Sequence, residues 1–391
     1  MAHYTPKLRL LAMAGFCSLA SMRICDAMLP ALVEAFSVSN TEAALVISSF
    51  TMMYCLMLLV CGALGDRYGR LRVVTVAVGL CTLASLGASL APSLYWLAVA
   101  RAGMGASAAG IVAVGIAWIG DTVAMEKRQA VLAQYMGIIV GGTMIGAWIG
   151  GLLTESVGWR GAFVVLALLF GTICLLSLRR FDLAVPVRLS KPLPYSRQLA
   201  GLLATRWSRL IFGAAFLEGV FAFGTLPFVP SLMHQKFGLS LTQSGAVLAL
   251  FGLGGLIFSQ ISGPLMRRVD TPGLARLGGV SLGLGFALIA WMPNWPTTTV
   301  GCFFAGLGYY CLHNTIQVEA TQLSITARGL SVALFGFCFF LGQSLGVLIT
   351  ASVLGQVDSA WCHAIAAAGL VVLGFVYAAR LESHMQLEPA V

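Results

Sequence analysis

Charge is what this chain has least of. Of 391 residues only 9% are Asp, Glu, Lys or Arg, 14 are acidic, and 59% are hydrophobic. Mean hydropathy is +0.92. So little polar surface excludes an ordinary soluble protein. Cysteine pairing is also missing: the 10 cysteines fall singly in apolar stretches with no C-x-x-C spacing, which argues against a zinc set or disulfide framework and leaves most of them as small packing residues. Cys25 alone lies among charged residues, where a functional thiol is the alternative to packing. The sequence has no His/Cys metal spacing, nucleophile elbow or phosphate-binding loop, so a membrane enzyme is unsupported and neither metal nor cofactor is expected. The net charge of +9 comes from basic residues spread between the apolar runs, not gathered in a patch, which argues against a nucleic-acid partner.

What is present is a series of apolar runs punctuated by Pro, Gly and charge. They fall at about 8–35, 42–64, 71–91, 94–120, 129–153, 160–179, 208–233, 241–266, 273–292, 296–320, 328–354 and 360–380. Twelve spans of roughly 20–25 residues need about 240–300 residues, most of the chain. The 45 glycines suit helices that must approach closely in lipid, where no hydrophobic drive acts between them. Lys7 and Arg9 ahead of the first run mimic a signal peptide, but Arg23, Asp26 and Pro30 follow without a small-residue cleavage site, so a retained first helix is expected.

The positive-inside rule tests that count. With the N-terminus in the cytoplasm and sides alternating, nineteen of the 23 Lys and Arg residues fall in cytoplasmic segments. Only Arg160 and Lys236 fall in outer loops, while Arg23 and Arg101 lie inside spans. Both termini are therefore expected in the cytoplasm. One long polar stretch, with Pro186, Pro192 and Pro194, separates spans six and seven. The expected organisation is an N-terminal six-helix bundle at 1–180, a cytoplasmic linker at 181–207 and a C-terminal six-helix bundle at 208–391. The halves repeat at an offset near 200: Gly62 and Leu64 match Gly263 and Leu265, Gly142 and Gly146 match Gly342 and Gly346, Arg128 matches Arg328, and Pro30 matches Pro230.

The turn after span two reads Gly62-Ala-Leu64-Gly-Asp66-Arg67-Tyr-Gly69-Arg70 and resembles motif A of the major facilitator superfamily, G-x-L-x-D-R-x-G-R. In span four, Arg101-Ala-Gly103-Met104-Gly105 is similar to motif B, R-x-x-Q-G, with Met104 in place of glutamine. In span five, Gly137, Gly142, Gly146, Gly150 and Gly151 resemble motif C of the drug:proton antiporter branch, with Ala147 where that motif has proline; Trp159-Arg160 is also similar to that branch. In the second half Arg267 stands where Asp66 would be, and Phe304 where Arg101 would be. The resemblance implies an all-α membrane protein with twelve transmembrane helices in two six-helix pseudo-repeats. It also implies a conformational gate made by Gly62, Asp66, Arg67, Gly69, Arg70 and Asp121, the first acid facing the start of span eleven near Arg328 and Gly329. Gly142, Gly146, Gly150 and Gly151 would be a helix-packing face.

Ionisable groups inside spans are costly to keep, and are candidates for function by default. They are Arg23 and Asp26 in span one, which at i, i+3 can pair; Arg101 in span four; Glu218 in span seven; and His313, with Asn314, Gln317 and the more peripheral Glu319, in span ten. The family topology brings these four spans around a central cavity. Asp26, between the opposing influences of burial and Arg23, is one candidate proton carrier, and Glu218, remote in sequence from any base, is the other. His313 is either a proton relay or a hydrogen-bonded structural group. Arg101 serves substrate or acts as a hydrogen-bonding post. Tyr54, Phe221, Phe223, Tyr309 and Tyr310 are candidates to line the cavity.

The expectation is a proton-coupled exporter of a small amphipathic compound or drug, working by alternating access as a monomer in the inner membrane, with protons the coupling ion and the lipid bilayer its surroundings. Arg23 and Arg101 leave open a small organic anion, exported or taken up with protons. A receptor or scaffold that keeps the fold is the alternative from another class.

Overall fold

The computed structural model describes residues 5–181, 195–291, 293–324, 327–354 and 356–387. Every regular element among them is helical. In the first half these are α1 (Thr5–Arg23), α2 (Leu29–Phe36), α3 (Asn40–Ala43), α4 (Leu45–Tyr68), α5 (Arg70–Ser89), α6 (Leu94–Thr122) and α7 (Met125–Arg180). In the second they are α8 (Tyr195–Ala204), α9 (Arg206–Glu218), α10 (Val229–Phe237), α11 (Leu241–Met266), α12 (Thr271–Trp291), α13 (Trp295–Gln322), α14 (Arg328–Leu354) and α15 (Ser359–Leu387). The chain divides into two compact units, Met1–Leu193 and Pro194–Val391.

Among the described residues nine stretches are long and apolar enough to cross a membrane. One of them, Lys127–Arg180, holds two spans, because Gly158 has φ +75° and ψ 163° and interrupts the helix between them. A side chain there would be strained, and glycine makes that backbone accessible. The remaining two spans, α1 with α2 and α13, carry more polar residues. The result is twelve spans, six in each unit. Of the linker expected at 181–207, residues 182–194, with Pro186, Pro192 and Pro194, lie outside the described residues, and Tyr195–Ala204 is helical.

Each unit is built the same way. In the first, α1 packs on α6 and α7, α4 on α6, and α5 on α6 and α7. In the second, α9 packs on α13 and α14, α11 on α13, and α12 on α13 and α15. The crossings are made by glycines that would not accept a methyl group. A Cβ on Gly142, Gly146 or Gly150 would land on the carbonyl oxygens of Phe16, Ala20 or Ile24, so α7 rides on the backbone of span one at every fourth residue. Gly342 and Gly346 meet the carbonyls of Phe216 and Val220 in the same way. Gly105 lies against Phe50, and Gly306 against Phe251. These contacts recur at an offset of 200 or 201 residues. Gly151 is buried in the same helix.

The helix ends repeat too. Ser39 and Ser240 each form a reciprocal capping box, with Glu42 and Gln243. Arg128 reaches back from α7 to the Val123 carbonyl at the end of α6, 3.3 Å away, and Arg328 from α14 to the Thr321 carbonyl of α13, 3.1 Å away. In both places a guanidinium satisfies a carbonyl that the ending helix leaves without an amide.

Candidate functional site

The first span is a helix broken in the middle. α1 ends at Arg23, five residues run as turns, and α2 restarts at Leu29 with Pro30 in its first turn. Proline suits that position because its missing N–H would have no helical acceptor. The break exposes backbone carbonyls in the bundle interior, where an unsatisfied acceptor is costly. Arg101 of α6 covers them. Its Nη1 donates to the Ser21 carbonyl at 2.6 Å, Nη2 to Met22 at 3.3 Å, and Nε to Val46 of α4 at 3.2 Å. The guanidinium also lies over the Phe50 ring, 4.3 Å from its centroid. Three charge-assisted bonds at about 1.5–3 kcal/mol each outweigh the roughly 2.5–3.5 kcal/mol that an arginine in mid-span costs. Arg101 thus fastens span one to spans two and four.

Arg23 and Asp26 sit at the break itself. Arg23 Nη2 lies 2.9 Å from Asp26 Oδ2, and both side chains are buried. The Asp26 amide donates to the Arg23 carbonyl as a turn, not as a helical bond. The expected pair therefore forms across a turn and not along one helical face, since no α-helix continues past Arg23. The second carboxylate oxygen, Oδ1, is buried with no hydrogen-bond partner. Cys25 is wholly buried beside it, and no disulfide joins any of the ten cysteines.

The second unit holds the other cluster. α9 ends at Glu218, followed by a π-helical turn at Gly219–Phe223, a short 3₁₀ turn at Leu226–Phe228 and then α10, with Pro230 in its first turn. π turns are uncommon and are frequent at functional sites. Glu218 has no exposed side-chain surface, and its Oε2 lies 2.7 Å from Nδ1 of His313 on α13, whose side chain is 13% exposed. Oε1 is buried without a hydrogen-bond partner. Glu218 therefore does have a base beside it, one that lies 95 residues away in sequence. Around the imidazole stand the rings of Tyr309, Phe339 and Phe335, with centroids 4.7, 4.9 and 5.1 Å away. Phe223 packs edge-on against Tyr309, Phe251 and Phe339.

Other polar candidates sit apart. Asn314 and Gln317 are half-buried on α13, and no hydrogen bond among the described residues joins them to the Glu218–His313 pair. Tyr310 stacks edge-on against Tyr309 and packs over Gly255. Tyr54 stacks on Phe50 in the first unit, and Phe221 lies against Gly369 of α15.

The motif turn joins α4 to α5 through Gly69, which takes φ +87°. Arg70 then links two acids: Nη2 to Asp66 Oδ1 at 3.2 Å and Nε to Asp121 Oδ2, at the end of α6, at 2.6 Å. Arg67 lies over the Tyr68 ring. A side chain at Gly62 would meet nothing within 4 Å, whereas Gly65 contacts Val114 of α6, so the glycine that lets the helices close is Gly65.

Two breaks in matching spans, each with a buried carboxylate beside a basic side chain, on a twice-repeated six-helix plan suggest a transport fold. The Major Facilitator Superfamily model matches residues 11–347 and 211–387. The chain belongs to the major facilitator superfamily. It is 25% identical to the multidrug resistance protein Stp of Mycobacterium tuberculosis (strain CDC 1551 / Oshkosh) over 398 residues, spanning 87% of this chain and 73% of that one. It is 24% identical to the MFS-type transporter YfhI of Bacillus subtilis (strain 168), over 91% of this chain and 90% of the other. Its fold is similar to that of the human organic anion transporter MFSD10, with a TM-score of 0.72 at 19% identity over 97% and 100% of the two chains. This major facilitator protein is accordingly a multi-pass membrane transporter of small molecules and not an enzyme.

Within this transporter the sequence singled out the charged residues and the Arg23–Asp26 pairing, but not the pairing of Glu218 with His313 or several of the aromatic neighbours. Phe50, Phe251, Phe335 and Phe339 become part of the clusters only through packing. Phe335 and Phe339, four apart on α14, carry a helical-face spacing that could have marked them. Phe50 has no such signal.

Proposed function

We propose that this transporter is a proton-coupled exporter of small amphipathic compounds, working by alternating access as a monomer in the inner membrane, with both termini in the cytoplasm and 181–207 linking bundles 1–180 and 208–391. One observation carries the reading: Asp26 and Glu218 are wholly buried carboxylates, each with an oxygen that accepts no hydrogen bond. With so few donors holding its charged form, such a carboxylate can take a proton at little cost in hydrogen bonds, and a buried acid with no such use is costly to keep. Each proton moved down the membrane potential supplies about 2.3 kcal/mol per 100 mV. The apolar and aromatic surroundings of Glu218, and the likeness to a multidrug resistance protein, support an amphipathic substrate. Asn314 and Gln317 are available as further polar contacts, with the Asp66–Arg70–Asp121 turn as the gate.

A second reading, a small organic anion as substrate, is favoured by the first unit, where Arg23 and Arg101 outnumber Asp26 by one positive charge. The experiment is transport in proteoliposomes under an imposed proton gradient, with lipophilic amines in one arm and small carboxylates in the other. Parent, Asp26→Asn and Glu218→Gln proteins are compared. Gradient-driven amine movement lost in either variant supports the proposal, carboxylate movement supports the second reading, and movement unchanged in both variants refutes these acids as proton sites.

A further inference from the structure

Glu218 reaches its surroundings by a single polar contact. Its carboxylate has no exposed surface, and among the described hydrogen bonds it takes one only from His313, through Oε2. The imidazole is bonded through Nδ1, so its other nitrogen, Nε2, is the one turned away from the acid, and the side chain keeps 13% exposure. Tyr309, Phe335 and Phe339 crowd the ring and leave it enclosed by aromatic surface. On α9 the π-helical turn follows Glu218 at once, with Gly219 against the Phe339 carbonyl, so α14 covers the acid from another side. Among the described residues the histidine is the one polar contact of a sealed acid, and unlike the acid it keeps some exposure.

From this geometry we infer that His313 is the proton relay for Glu218, so that protons reach and leave this acid through the imidazole and not directly from water. The step balances without any other reactant. In the resting pair Nδ1–H donates to the ionised Oε2, and Nε2 holds a lone pair. Nε2 accepts a proton from hydronium, which becomes water; the Nδ1–H bond breaks as the Oε2–H bond forms. The imidazole is left neutral with its hydrogen on Nε2, and the hydrogen bond now runs from Oε2–H to Nδ1. Release is the same sequence reversed. Histidine suits this because its two nitrogens serve as acceptor and donor at once and its ordinary range spans neutral pH. Among the described residues the titratable neighbours of the pair are Tyr309 on α13, in ring contact with His313, and Tyr377 of α15, within electrostatic reach of Glu218 and Glu319. α14 and α11 present Phe335, Phe339 and Phe251.

The inference rests on the proposal that Glu218 binds a proton, and the test separates the two. The full-length protein in lipid vesicles is given a rapid pH jump while the infrared band of protonated carboxylic acid is followed, and the Glu218 part is identified by its loss in Glu218→Gln. His313→Gln keeps an N–H for Oε2 but cannot shuttle a proton. A relay predicts that the band changes by the same extent in His313→Gln but about 100-fold more slowly. An unchanged rate would overturn the relay and leave His313 a structural donor. A parent protein with no band that Glu218→Gln removes would overturn the proton site itself. Should His313→Gln fail to fold, nitrogen-15 histidine spectra of the parent decide: transfer of the hydrogen from Nδ1 to Nε2 in step with the carboxyl band supports the relay, and an Nδ1–H that persists throughout refutes it.

Discussion

Arg70 Nε donates to Asp121 Oδ2 across 2.6 Å, tying the start of α5 to the end of α6, while its Nη2 holds Asp66 from the preceding turn. Both acids are about 60% exposed. Exposed ion pairs contribute at most about 1 kcal/mol, because water and salt screen them and two side chains must be ordered. Asp121→Asn should therefore shift the melting temperature in detergent by only a few degrees while altering transport rate. A large loss of stability with transport unchanged would make the tie structural and not a gate.

The α1–α7 crossing predicts a steep response to volume. Gly150→Ala places a methyl on the Ile24 carbonyl, so α7 must move away, at about 1–3 kcal/mol for overpacking. Gly62→Ala, with nothing within 4 Å, should be neutral to stability. Thermal unfolding of the two variants side by side checks the contrast, and equal melting temperatures would contradict it.

Arg101 should not be replaceable by lysine. One ammonium cannot lie over Phe50 and reach the carbonyls of Ser21, Met22 and Val46 with the planar fork that guanidinium supplies. Arg101→Lys should lose part of the stability that Arg101→Ala loses in full, the latter about 3–5 kcal/mol if the carbonyls stay buried. Melting curves of the three proteins would test that order, and a lysine variant as stable as the parent would contradict it.

Arg128 and Arg328 make the same capping contact in the two halves. Arg128→Gln and Arg328→Gln should each cost about 0.5–1.5 kcal/mol, the worth of one hydrogen bond. Opposite signs or very different sizes in denaturation experiments would mean that the repeat is not preserved in energetics.

Much of the fold was legible because lipid imposes a length and an apolar content on each span, and because Arg and Lys mark the ends. The repeat was legible in Gly142 with Gly342 and in Arg128 with Arg328, since a close crossing and a helix end each demand one residue type. The breaks in spans one and seven left only Pro30 and Pro230 as traces, for proline is compatible with either a kink or a restart. The pairing of Glu218 with His313 was not legible, because nothing across a separation of 95 residues records how α9 and α13 meet. Arg101 was visible as a costly cation, yet its partners are main-chain oxygens, which carry no sequence signature. The close approach at Gly65 was not legible for a related reason: the motif marks Gly62 and Gly69, while the position packed against Val114 of α6 is one that the motif leaves open.

The contrast between crowded and open glycines is also a guide to attaching reporters. Gly62, Gly120, Gly137 and Gly329 have no neighbour within 4 Å of an added Cβ, so a cysteine introduced there could carry a spin label or fluorophore. At Gly142, Gly146, Gly150, Gly342 and Gly346 the same probe would push apart the helices it was meant to report on.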